Sequence, residues 1–146
     1  MGEKFDYDFS GWATCYNIKC SDGRTIKRDA FAGDDGMIVP LMYEFNHMNT
    51  TRGVLGNALL CNRPEGVYMY GKFNDTYEGQ CAKAMVQNGD VTSLGIYAIN
   101  IKQVAGMNVV HGSIKAVSLV NFPANPGAVI DYVAPSPDEG DSTEET

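Results

Sequence analysis

Two histidines, a serine in a strand-like run and a glycine beside it set the chemistry this chain could do. A serine hydroxyl attacks a carbonyl only when a histidine within hydrogen-bond reach takes its proton and an acceptor orients the imidazole. The sequence holds two imidazoles, His47 and His111. Ser93 lies in Gly89-Asp90-Val91-Thr92-Ser93-Leu94-Gly95-Ile96-Tyr97-Ala98, which places a glycine between Leu94 and Ile96. Glycine inside a strand costs about 0.5–1 kcal/mol relative to alanine and packs nothing, so it marks a bulge, a close backbone contact or a tolerated loss of side chain. The four cysteines, Cys15, Cys20, Cys61 and Cys81, match no paired Cys-x-x-Cys zinc spacing. Nothing in the spacing supports a His47/His111/Cys61/Cys81 metal site. Glycine-rich phosphate loops and nucleotide fingerprints are absent, so no metal and no cofactor is expected. Reduced, mostly buried thiols are expected instead.

Those residues need elements to position them. Phe5, Tyr7 and Phe9 alternate with Asp6 and Asp8, which predicts a half-buried strand over 4–16. Ser21-Asp22-Gly23 signals a turn into a short return strand, Arg24 to Lys27, and Asp29 to Phe31 a brief helical turn. Met37 to Tyr43 is an apolar run of strand length, and Pro40 within it predicts an edge or bulged strand. Strands over 54–60 and 67–73 flank Arg63-Pro64-Glu65-Gly66, a hairpin turn. Thr76 offers an N-cap and Gly89 a C-terminal cap, which predicts one helix over 76–88. Two long strands follow, 91–101 and 109–122, joined near Gly106, until Pro123-Ala124-Asn125-Pro126-Gly127 breaks regular structure. The pattern sums to a mainly antiparallel β domain with one helix, a barrel or a sandwich.

The chain has 146 residues, 44% hydrophobic and 20% charged, enough for one domain with a real core. Residues 1–133 form that domain. Residues 134–146 carry five acids and no aromatic or basic residue, and are expected to be a disordered acidic tail. A formal net charge of −7 and the lack of a basic stripe argue against nucleic acid as a partner. No apolar run is long enough to span a membrane, and the polar start Met1-Gly2-Glu3-Lys4-Phe5-Asp6 does not read as a secretory leader.

Several motifs, in order from about residue 5 to residue 130, resemble the prohead serine protease family of tailed phages. Gly11-Trp12-Ala13 is similar to the family's opening strand. Asp22-Gly23-Arg24-Thr25-Ile26 and Asp29-Ala30-Phe31 resemble the segment ahead of the catalytic histidine strand, and Val39-Pro40-Leu41 leading to His47 resembles the stretch that ends in that histidine. Asn62-Arg63-Pro64-Glu65-Gly66-Val67-Tyr68 is similar to a hairpin of a subset of the family. Val117-Ser118-Leu119-Val120-Asn121-Phe122-Pro123-Ala124-Asn125-Pro126 resembles its most recognisable signature. The resemblance implies a fold like that of herpesvirus maturational proteases, a closed antiparallel β-barrel of six or seven strands with a flanking helix. It also implies a role in head assembly, the cutting of scaffold and capsid-protein extensions inside the procapsid.

Carried over residue by residue, the resemblance gives His47 the place of the catalytic base. The nucleophile position, serine in Gly-Asp-Ile-x-x-Leu-Ser-Ile, falls on Gly95. The acidic position just before the Val-Ser-Leu-Val strand falls on Ala116. Two of three positions thus carry no suitable chemistry. Ser93 is the fallback nucleophile; it shares Gly95's strand face but lies about 6.5 Å along the strand. His111 is the fallback orienter, five residues before Ala116 and on the other face of a regular strand.

The leading expectation is a catalytically inactive head-assembly protein, a decoration, cement or assembly factor. It would bind the major capsid protein or scaffold, as a homo-oligomer or on the shell, in a virion capsid or procapsid assembled in the host cytoplasm. The alternative is an active maturation protease using His47 and Ser93. A β-barrel binding module unrelated to capsids is the third.

Overall fold

The computed structural model describes residues 6–43 and 54–135. Eight strands and one helix follow in the order β1 (Phe9–Cys15), β2 (Thr25–Ile26), β3 (Ile38–Tyr43), β4 (Val54–Arg63), β5 (Gly66–Phe73), α1 (Tyr77–Asn88), β6 (Ser93–Val104), β7 (Asn108–Val120) and β8 (Ile130–Val133), with a 3-10 turn at Ala32–Asp34. Local signals place several of them. Thr76 caps α1, its Oγ1 accepting from the Gly79 amide at 3.0 Å, and Gly89 ends the helix at a φ of 82° that glycine adopts freely. Pro64 and Glu65 form the tight turn between β4 and β5, with Arg63 opposite Gly66.

The closed antiparallel barrel expected from the resemblance is not what the strands form. They make one mixed sheet in the order β2-β7-β3-β4-β5-β1-β8, with β6 on the other flank of β7. β7 is the reason. It lies antiparallel to β6 but parallel to both β2 and β3, so the sheet cannot be wholly antiparallel. The sheet also stops short of closing. β8 is four residues long and pairs with β1, while a single bridge, Ser93 to Val129, joins the start of β6 to the segment ahead of β8. Pro40 shows a smaller difference. It sits inside β3, which has neighbours on both sides, but β7 pairs with β3 only from Leu41 onward, so Pro40 has β4 alone beside it.

The core lies on one face of this curved sheet. Phe9, Leu41, Leu55, Leu60, Met69, Leu94 and Val117 are fully buried in it, and Ala82 and Val86 bring α1 onto the same cluster. Full burial of a side chain of this size contributes about 1.5–3 kcal/mol relative to exposure, and that fixes which face of β6 and β7 points inward.

Candidate functional site

The helix cap at Gly89 releases the chain into β6, and β6 carries most of the sequence-predicted site. Ser93, Gly95 and Tyr97 stand directly opposite Val120, Ser118 and Ala116 of β7. Side chains alternate across a pleated sheet, so these six share one face. Leu94 and Ile96, opposite Leu119 and Val117, take the core face. On the other flank of β7, Met42 of β3 stands opposite Ser118. Gly95, Ser118 and Met42 therefore form a row across three strands. Ser118 is completely buried, and among the described residues its hydroxyl has no hydrogen-bond partner. Ala116 is the diagonal neighbour of Gly95, a spacing of about 7–8 Å between opposed strands.

The structure thus brings Gly95 and Ala116 together. Neither offers a nucleophile or a carboxylate. Ser93 is buried at 7% exposure, and both of its neighbours are pinned: the Ile130 amide donates to Thr92 O at 2.9 Å and the Leu94 amide to Ala128 O at 2.8 Å. His111 is exposed and stands opposite Lys102. Nine positions of β7 separate it from Val120, the partner of Ser93, which is about 30 Å of strand. Ser93 and His111 are not brought together. His47 lies outside the described residues.

Beside this row the sheet is open. A cavity of about 360 Å³ lies against the edge of β6 that faces away from β7. Leu94, Gly95, Ile96, Tyr97 and Ala98 all line it. Five successive residues can line one cavity only when the strand presents its edge, because faces expose alternate residues. Ala13, Ile26, Phe31 and Val109 close the inner side, and Phe122, 93% exposed, stands at the mouth.

Asn125 anchors the far wall. Its Nδ2 donates to Cys15 O at 2.8 Å and to Thr14 Oγ1 at 3.1 Å, and its Oδ1 accepts from the Gly127 amide at 3.0 Å. The Pro123-Ala124-Asn125-Pro126 motif holds the turn against the end of β1. The sequence supplied the motif but not this purpose. Cys15 and Cys20 sit beside it, and burial pushes both thiols above their ordinary pKa, Glu65 adding to the effect at Cys15 and Asp22 at Cys20. They stay protonated and are poor nucleophiles.

Among solved structures, the KSHV protease crystallised in complex with a hexapeptide phosphonate inhibitor superposes on this architecture with a TM-score of 0.63. The chain is similar in fold to a herpesvirus protease. The match covers 86% of this chain and 64% of the viral one, at 12% sequence identity. This chain therefore spans less than two-thirds of the herpesvirus protease, and the likeness carries the fold alone. No protein-family model and no curated protein matches the sequence. The herpesvirus-protease-like fold agrees with the relationship that the prohead motifs imply.

Proposed function

We propose that this chain is a tailed-phage head-assembly protein that keeps a protease-like fold and does not cut. The observation that carries this is the pair Gly95 and Ala116, diagonal neighbours on β6 and β7 at the two positions where the resemblance calls for a nucleophile and an acid. Restoring either function by relocation needs another group nearby. Ser93 is buried within a backbone bridge, and His111 stands about 30 Å of strand away from its partner position. Triad removal in model enzymes leaves only about 10³–10⁴ over the uncatalysed rate, too little for timed maturation.

On this view the fold is retained for its surface. Its partners are the major capsid protein or scaffold, and its place is the procapsid or virion shell. The test is incubation of the purified protein with its cognate capsid protein and scaffold, read by intact mass and by sedimentation with the shells. Intact substrates with the protein bound to shells are expected. Cleavage that disappears in His47→Ala and Ser93→Ala would establish a working protease instead.

A further inference from the structure

We infer that the outer face of β5, β1 and β8 docks a basic segment of a partner protein, with an arginine side chain of that segment stacked on Tyr7 and Tyr132 beside Asp131. This rests on the reading of the chain as a binding protein and names a surface for that role. Of eight tyrosines and one tryptophan, five rings meet in one row of contacts. Trp12 packs edge to face on Tyr68 with 4.9 Å between ring centroids, Tyr68 on Tyr70 at 5.3 Å, Tyr70 on Tyr7 at 4.9 Å and Tyr7 on Tyr132 at 6.1 Å. Tyr68 and Tyr70 alternate along β5 with Val67 and Met69, which are buried in the core, so the row lies on the other face of the sheet. Asp131 falls at the register shift between Ile130 and Tyr132, and it joins the same face, where the Tyr68 hydroxyl donates to its Oδ1 at 2.5 Å. Tyr7 and Tyr132, at the end of the row, stay 37% and 47% exposed. Rigid tyrosine and tryptophan rings lose little conformational entropy on contact, and with arginine they dominate the centres of protein interfaces.

Charge then selects the occupant. Arg63 already lies over the Tyr68 ring, 4.5 Å from its centroid, and donates to the Tyr70 hydroxyl at 2.8 Å. A guanidinium on tyrosine is thus a contact this row makes within its own chain. Among the described residues no cation lies over Tyr7 or Tyr132. Lys72, on the same face of β5, pairs with Asp6 at 3.2 Å. Asp131 has a neutral hydroxyl as its partner and, among the described residues, no cation. The face therefore offers two exposed rings beside a carboxylate of uncompensated charge, on a chain of net charge −7. Its complement is a cation. A guanidinium fits better than an ammonium because it is planar, stacks on rings and is more weakly hydrated. A phosphate or a carboxylate would meet Asp131 with the same sign of charge. One exposed cation–π contact changes affinity only a few-fold, so a small free cation is held weakly. A row that spans three strands suits a segment of polypeptide, whose neighbouring residues add further contacts.

The probe is a nonapeptide of repeated Gly-Ser-Arg, compared with the same peptide carrying Gln for every Arg, each titrated into the full-length protein. The indole N–H resonance of Trp12, the chain's single tryptophan, reports on the row. The Arg peptide should bind about tenfold tighter or more than the Gln peptide, and less tightly as salt rises. Tyr132→Ala should weaken the Arg peptide by about threefold or more, and Tyr132→Phe, which keeps the ring, should not. Neither variant changes the net charge, so general attraction to an acidic protein would leave both like the wild type. Asp131→Asn should also weaken the Arg peptide. Equal affinity for both peptides, no binding of either, or full affinity in Tyr132→Ala would overturn the inference. A dimer that dissociates in Tyr132→Ala would overturn it too, by placing a second copy on this face. Cleavage of capsid protein or scaffold would overturn the non-cutting function and leave the arginine contact standing, so the two failures are distinct.

Discussion

Asn125 commits its amide to two elements at once. It receives the Gly127 amide within its own turn and donates to Thr14 and Cys15 at the end of β1. Asn125→Ala would leave the Cys15 carbonyl and the Gly127 amide without these partners in a site where Asn125 itself is 6% exposed. An unpaired buried polar group costs about 1–3 kcal/mol. For a chain of this length that lowers Tm by roughly 3–10 °C, which calorimetry reads directly; an unchanged Tm would mean that the turn is held elsewhere. At this scale the sequence is informative about type and silent about partner. Pro-Ala-Asn-Pro stands out as a motif, but the hydrogen bonds of Asn125 span more than 100 positions of chain and leave no local trace. Gly95 was legible in the opposite way: a missing side chain in an apolar strand is visible without any structure. That its cross-strand partner would be Ser118, buried and without a hydrogen-bond partner among the described residues, was not.

Elements whose signals are local could be read in advance. The α1 helix begins at its Thr76 cap and ends at Gly89, and the β4–β5 hairpin turns at Pro64-Glu65, because both depend on residues a few positions apart. Parallel pairing of β3 and β2 with β7 could not be read. No residue in Ile38–Tyr43 specifies a partner some seventy-five positions later, and the parallel direction follows from topology. Antiparallel closure was the natural extrapolation, and it fails where β8 ends after four residues. The β4–β5 pair also depends on an absent side chain. A Cβ on Gly56 would sit 2.0 Å from Lys72 O and 2.8 Å from Phe73 Cα, both backbone atoms of β5. Gly56→Ala must therefore push the strands apart, at a cost of about 1–3 kcal/mol or somewhat more. A clear fall in Tm is expected by thermal denaturation; a wild-type Tm would show that the two strands have slack at this crossing.

The whole molecule is an acidic domain with a protease-like mixed sheet and a cavity beside β6. A net charge of −7 favours solubility and disfavours phosphate backbones. Its features converge on β6, which carries Gly95 on one face, core residues on the other and the cavity along its free edge. The proposed non-cutting role rests on the resemblance that places the nucleophile and acid positions at Gly95 and Ala116, diagonal neighbours on β6 and β7. The most direct measurement is treatment of the folded protein with a serine-directed fluorophosphonate, read by intact mass and peptide mapping beside an active relative that labels under the same conditions. The account predicts an unmodified chain. A stoichiometric adduct on Ser93, or on Ser118, would contradict it.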